Sequence, residues 1–397
     1  METMYDNAVA TGDARHAKLD GWIAQGKEDA QDIFRAMANN VPRDLVVDTK
    51  KIGFDIRGGR IYVSTSDNEF LLHRHAVNQM VAKTKILTGT VSNNMMGAAT
   101  RDDQDLIVEP WGKELLLHNL RTIFQKTDRE RVLLRAVPTE SGTHEVRGFL
   151  SDKYRRMNCG PIMEMFAGTA MREFGAVPIR MHDDQRRFRA NYYHDIRMGF
   201  SMFLPYVFQP VDSMRDEVMI IGLTCENSDF GGAALTVSMV VIRIQCTNLM
   251  VTQDELRKVH LGGRLSEDIR FAEDTYQKDT ETMALAIRDM TKTLLGPARV
   301  NAYTSNIRRA AQQEVNAEGL INALRAQGHL LKAEAESVKK LYNSADVELM
   351  PAGNTVWRAT NAISLFANEM ENDGKSERAV ELRHAAGIVL DKHVQAA

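Results

Sequence analysis

Cysteine is scarce in this chain. Cys159, Cys225 and Cys246 stand alone in 397 residues. An odd number with no CxxC spacing excludes a disulfide framework and reads as reduced thiols in a cytosol. Cys225 and Cys246 lie in apolar stretches and are expected to be core residues. Long hydrophobic runs are missing too. The longest largely apolar stretch, Ala233 to Ile242, stops at Arg243, about half of the ~20 residues that a bilayer span requires. The first 30 residues carry Asp6, Asp13, Asp20, Glu28 and Asp29 and no apolar segment, so no secretory signal is expected. Neither sign of charge predominates. Fifty Lys and Arg stand against 53 Asp and Glu, net −3, so whole-chain charge advertises neither a nucleic-acid nor a membrane partner. GxxxxGK[ST], GxGxxG before a helix, HExxH and GxSxG are all missing. That excludes a P-loop, argues against a Rossmann cofactor site, and removes the common zinc-protease and hydrolase signatures. No cofactor is expected.

What is present is an ordinary globular composition, 44% apolar and 26% charged, in a chain long enough for one large domain or two to three smaller ones. Asp13 to Met37 has helical spacing and ends at Asn39, Asn40 and Pro42. Lys51 to Ser64 reads as a hairpin around Gly58 and Gly59. Leu71 to Ile86 and Trp111 to Phe124 read as helices. A hairpin is expected over 132–150 around the Glu140–Thr143 turn, then a helix over Pro161 to Phe174. Val177–Met181, Phe188–Ile196, Met202–Phe208, Val218–Cys225 and Ala233–Gln245 read as strands, the last suited to burial on both faces. Beta structure is expected to end near Val251. Helices follow over Leu265–Leu295, Thr355–Met370 and Ser376–His393. The expected class is α+β: a mixed, largely antiparallel β body with packed helices, then an all-helical C-terminal region. The expected division is 1–110, an N-terminal helix and hairpin region; 111–260, a strand-rich basic core; and 261–397, a helical C-terminal region.

Charge is not spread evenly along the chain. Residues 121–197 hold 15 basic against 10 acidic residues, a local net of +5. The surplus is read either as a solvated surface balanced by acidic neighbours in space or as a contact surface for a polyanion. Two stretches interleave cations with aromatics: Arg147-Gly148-Phe149-Leu150-Ser151-Asp152-Lys153-Tyr154-Arg155-Arg156, and Arg186-Arg187-Phe188-Arg189-Ala190-Asn191-Tyr192-Tyr193-His194-Asp195. Cations neutralise phosphates and release counterions, while ring faces stack on unpaired bases. A groove for single-stranded nucleic acid would place Lys153, Arg155, Arg156, Arg186, Arg187 and Arg189 on phosphates and Tyr154, Tyr192 and Tyr193 against bases. Charge reversal at Arg155 and Arg156 is then expected to flatten the salt dependence of binding. A metal-dependent nuclease using His182, Asp183, Asp184, His194 or Asp195 is a further reading, since carboxylate with imidazole suits a divalent ion. Turn chemistry accounts for the same residues. His73 and His75, two apart on an expected helix, point about 200° from each other.

The stretch 147–156, with Val241-Ile242-Arg243-Ile244-Gln245-Cys246-Thr247-Asn248-Leu249 some 90 residues later, resembles the phage/plasmid-like family, a domain-of-unknown-function group. His260, Gly262, Trp357, Asn361 and Ala362 fit the same pattern, and the resemblance covers roughly residues 110–370. It implies a mobile-element origin and action in the bacterial host cytoplasm, and brings no settled activity. The mixed hairpin-and-helix body is loosely similar to single-strand annealing proteins of the Erf and Red-beta class, a fold-level analogy. The expectation is a nucleic-acid-binding protein acting without a nucleotide cofactor on single strands. It would act as a homo-oligomeric ring or filament, with C-terminal helices packing neighbouring subunits and no membrane partner. The competing expectation is a structural or host-interaction protein whose basic strip meets acidic protein surfaces.

Overall fold

The computed structural model describes residues 14–83, 110–126, 131–180, 191–208, 218–244, 248–258, 272–346, 350–373 and 375–395. A first sheet joins β1 (Arg43–Asp48), β2 (Gly53–Arg57), β3 (Arg60–Ser64) and β4 (Glu69–Leu72) to β5 (Arg131–Pro138) and β6 (His144–Ser151). Its order is β1-β5-β6-β4-β3-β2, antiparallel except where β4 runs parallel to β6. The two edge strands are consecutive in the chain. Six strands laid flat span about 24 Å at ~4.8 Å each. The path from Asp48 to Gly53 reaches at most about 19 Å, and Thr49–Lys51 shorten it by winding as a 3-10 turn. The sheet must therefore curl. Inside the curl lie Phe54, Ile56, Ile61, Val63, Phe70, Leu72, Val132, Leu134, Ala136, Val146 and Phe149. Helices α2 (Arg74–Lys83) and α3 (Pro110–Lys126) fill it with Ala76, Val77 and Met80, and with Leu116, Leu120 and Phe124.

Local chemistry sets this geometry. Gly58 and Gly59 have φ of 57° and 80°, the left-handed values that a two-residue hairpin turn needs. Val146 and Phe149 both face inward although three residues apart. A bulge permits it: Arg135 pairs with Gly148 and Ala136 with Val146, which leaves Arg147 as the extra residue and resets the alternation.

The second sheet is an antiparallel meander of β7 (Tyr192–Tyr193), β8 (Met198–Phe208), β9 (Met219–Asn227), β10 (Leu235–Arg243) and β11 (Asn248–Lys258). One face carries Phe200, Met202, Ile221, Leu223, Val237 and Met239. It packs on α4 (Cys159–Phe174) and the C-terminal helices. The opposite face carries Phe203, Ile220, Val240 and Ile242, covered by Leu19 and Trp22 of α1 (Ala14–Asn39). Burial on both faces is what the near-continuous apolar run of β10 required. Beyond it come α5 (Glu273–Leu294), α6 (Pro297–Gln312), α7 (Ala317–Ala326), α8 (Lys332–Tyr342), α9 (Val356–Asn372) and α10 (Ser376–Gln395). The class is α+β, with a mixed curled sheet and an all-helical C-terminal region. Among the described residues no helix is long and apolar enough to cross a membrane.

Several expectations are corrected. Leu71 and Leu72 belong to β4, paired with β3 and β6; the helix starts at Arg74. Val177 makes one bridge to Phe203 rather than opening a strand. Of the strand expected over 188–196, Tyr192–Tyr193 pair with β8, and 188–190 lie outside the described residues. Beta structure continues to Lys258, past Val251. The first sheet takes strands from both sides of residue 110. The C-terminal helices share a continuous core with the second sheet.

Candidate nucleic-acid interface

Lys153 to Asn158 link β6 to α4 and run along the seam between the two sheets. Arg135, fully buried on β5, donates from Nε to Asp44 Oδ1 at 2.7 Å, from Nη1 to Asp229 O at 2.6 Å and from Nη2 to Asn158 Oδ1 at 2.6 Å. Burial pulls its pKa down, but the nearby Asp44 and Asp229 carboxylates outweigh that and raise it. Arg156, also buried, sets Nε 2.9 Å from Asp44 Oδ2 and lays its guanidinium 3.9 Å from the centre of the Tyr276 ring. One carboxylate on β1 thus holds two guanidiniums. Arg155 grips Asp279 of α5 with two nitrogens, Nε to Oδ2 at 2.5 Å and Nη2 to Oδ1. The following residue of α5, Thr280, donates from Oγ1 to Arg156 O at 2.5 Å. Tyr154 is buried, donates its hydroxyl to Ser228 O at 3.4 Å, and its phenol is pushed up by burial.

The bulge residue Arg147 extends the seam. Its Nε donates to Glu145 Oε2 at 2.8 Å, and Nη1 lies 3.0 Å from Asp195 Oδ1. Asp195 Oδ2 in turn is 3.9 Å from His73 Nε2, while His73 Nδ1 accepts the His75 N–H at 3.1 Å. His73 therefore precedes α2, and its ring proton sits on Nε2. Gln79 ties both layers together: Nε2 donates to Phe230 O and Oε1 accepts from Phe149 N, each at 2.7 Å.

The sequence-derived site is accordingly divided. Tyr154 is interior and offers no ring face for stacking. Arg156 is buried and Arg155 half-exposed, and both clamp the fold through carboxylates. Lys153 is half-exposed at the turn. Tyr193 is half-buried against the core, its phenol also raised by burial. The Tyr192 side chain, Arg186, Arg187 and Arg189 lie outside the described residues, as do His182, Asp183 and Asp184. The mid-chain surplus meets carboxylates from elsewhere: Asp29 on Arg180, Asp44 on Arg135 and Arg156, Glu226 near Arg197, Asp229 near Arg135 and Asp279 on Arg155. In the other direction, Lys292 reaches Glu173 at 2.7 Å. Cys159 and Cys225 are buried thiols, both pushed up by burial; Cys246 lies outside the described residues. Among the described residues, no three of His, Cys, Asp and Glu are grouped so as to hold a metal ion.

The ends of the segment that holds the remaining arginines are fixed. Arg180 N donates to Trp22 O at 2.9 Å, and its guanidinium pairs with Asp29 at 3.0 Å. Asn191 Nδ2 donates to Ile179 O at 3.3 Å, and Asn191 Oδ1 accepts from Ser201 N at 2.7 Å. A side chain at Gly26 would place its Cβ 2.4 Å from Ile179 Cα, so glycine allows α1 to press on this bracket. Compared with protein-family models, curated proteins and solved structures, the chain finds no match.

Proposed function

We propose that this chain is a nucleic-acid-binding protein of a phage or plasmid. It holds a single strand in the bacterial host cytoplasm without a nucleotide cofactor and anneals complementary strands as a ring or filament of identical subunits. Phosphate contact falls to Arg186, Arg187 and Arg189 with Lys153, and Tyr192 is the residue for base stacking. The observation that carries the reading is the bracket at Arg180 and Asn191. These are the described residues on either side of the stretch with three arginines in four positions, and Asn191 Nδ2 reaches back to Ile179 O, next to Arg180 in the chain.

Fluorescence anisotropy with a labelled 20-mer at 50–300 mM salt tests this. Replacing Arg186, Arg187 and Arg189 by Gln removes three phosphate contacts, which lowers the slope of log affinity against log salt by about 2 for a single strand. An unchanged slope overturns the assignment. The competing reading, a structural or host-interaction protein, draws on the carboxylates that neutralise the mid-chain arginines. It requires stable assembly with no oligonucleotide retained. The nuclease reading requires Mg²⁺- or Mn²⁺-dependent cleavage lost in Asp184→Ala.

A further inference from the structure

The short connection that closes the curled sheet collects a second group of cations. Lys50 and Lys51 sit in the 3-10 turn between β1 and β2, both exposed. Helix α3 packs on that turn. Its Arg121, exposed, donates from Nη2 to Phe54 O at 3.0 Å, and the Phe124 ring packs tilted against that of Phe54, 5.0 Å between centres. Lys126, exposed, is the last residue of α3. Arg131 opens β5 directly across the ladder from Asp48. None of these five cations has a carboxylate partner among the described residues. The carboxylate of Asp48, their neighbour in register, is turned to the Lys50 N–H at 2.9 Å.

This is where part of the mid-chain surplus surfaces. Arg121, Lys126 and Arg131 belong to the basic stretch and are joined there by two lysines from the first fifty-one residues. From these observations we infer that the closing turn of the curled sheet is a phosphate-binding surface for a nucleic-acid strand. The inference rests on the nucleic-acid reading above but uses different residues. The surrounding side chains favour phosphates over a bilayer. The aromatic rings at the turn, Phe54 and Phe124, are buried in the sheet's core. The described exposed apolar residues nearest along the chain are Val46 and Leu115. Among the described residues nothing at the turn inserts into lipid or stacks on bases, so the surface reads charge spacing and no sequence.

The test uses the full chain and labelled dT20, followed by anisotropy between 50 and 200 mM salt. Lys50→Gln with Lys51→Gln removes two contacts, which lowers the slope of log affinity against log salt by about 1.4 on a single strand. The fall in affinity over this range therefore becomes about sevenfold smaller than in the wild type. Both side chains are exposed, so the unfolding temperature of this variant should match the wild type. A fall as large as that of the wild type, retained in the variant, overturns the inference. If the Arg186, Arg187 and Arg189 variant alone then flattens the slope, the function proposed above survives without this surface. Equal binding to poly-glutamate, or to vesicles of anionic lipid with no binding to dT20, overturns it in favour of a protein or membrane partner. No binding of dT20 at 50 mM overturns both readings.

Discussion

Asp44→Ala is the sharpest probe of the seam. Asp44 is the shared partner of Arg135 and Arg156, at 2.7 and 2.9 Å, and both arginines are buried. Removing one member of a buried ion pair costs about 3–5 kcal/mol, because the remaining charge is left without its counter-ion. Arg135 keeps Asp229 within 3.9 Å, which places the cost toward the lower end. With an unfolding entropy of about 2.1 cal/mol/K per residue over 397 residues, that cost lowers the melting temperature by about 4–6 °C if the chain melts as one unit. Asp279→Ala is the control. It breaks the Arg155 pair, whose side chains are 26% and 31% exposed, and such a partly solvated pair is worth about 1 kcal/mol or less. The expected loss is about 1 °C. Differential scanning calorimetry of the two variants decides. Equal, small shifts would refute the assignment of Asp44 to a buried clamp. A loss of oligonucleotide binding by Asp44→Ala with an unchanged melting temperature would return Arg156 to the contact surface.

Two further outcomes follow from the same structure. Glu334 receives Arg378 Nε at 2.8 Å and Nη2 at 2.6 Å, as well as the Leu331 N–H at 2.7 Å. Hydrogen bonding to Arg378 outweighs burial and holds this carboxyl below its ordinary 4.5. A carboxyl lowered in the folded state stabilises above its unfolded pKa, and the contribution is lost as pH falls through the folded value. Glu334→Gln should therefore lower stability in urea titrations at pH 7, and the difference from wild type should shrink from about pH 4.5 downward; a gap that widens in acid contradicts the pairing. Burial pushes the thiols of Cys159 and Cys225 up, which withholds the reactive thiolate. Peptide mapping after alkylation of the native protein should find both unmodified, and both modified in denaturant; native labelling at either position contradicts the packing.

Local signals in the sequence were legible because they depend on neighbours along the chain. Gly58 and Gly59 announce their hairpin, and the run from Leu235 to Ile242 announces a strand covered on both faces. Non-local pairings were not legible. β1, Arg43–Asp48, is short and charged at both ends, and becomes a strand by pairing with β5 far along the chain. Leu71 and Leu72 fit the helical spacing of the residues that follow, yet parallel pairing with Glu145 and Val146 makes them a strand. One clue to the seam was available: Arg135 interrupts the apolar strand Val132–Val137. A charge at an inward or seam position of a strand demands a partner, and sequence order does not say that Asp44 supplies it.

The basic middle makes the same point about function. A count along the chain sums charges that are near in sequence, whereas the Coulomb energy sums charges that are near in space. Arg147, Arg155 and Arg156 look available only until Glu145, Asp195, Asp279 and Asp44 are placed beside them. The same folding brings Lys50 and Lys51, remote in sequence and in a nearly neutral stretch, up against Arg121, Lys126 and Arg131. Cations already matched within the fold would have to break an ion pair before meeting a phosphate. Those without a carboxylate partner, on a turn held by the closure of the sheet, meet it at no such cost. Any polyanion that this protein binds should therefore respond more to Lys50 and Lys51 than to Arg155 and Arg156, whatever the density of arginine and tyrosine around residue 155 suggests.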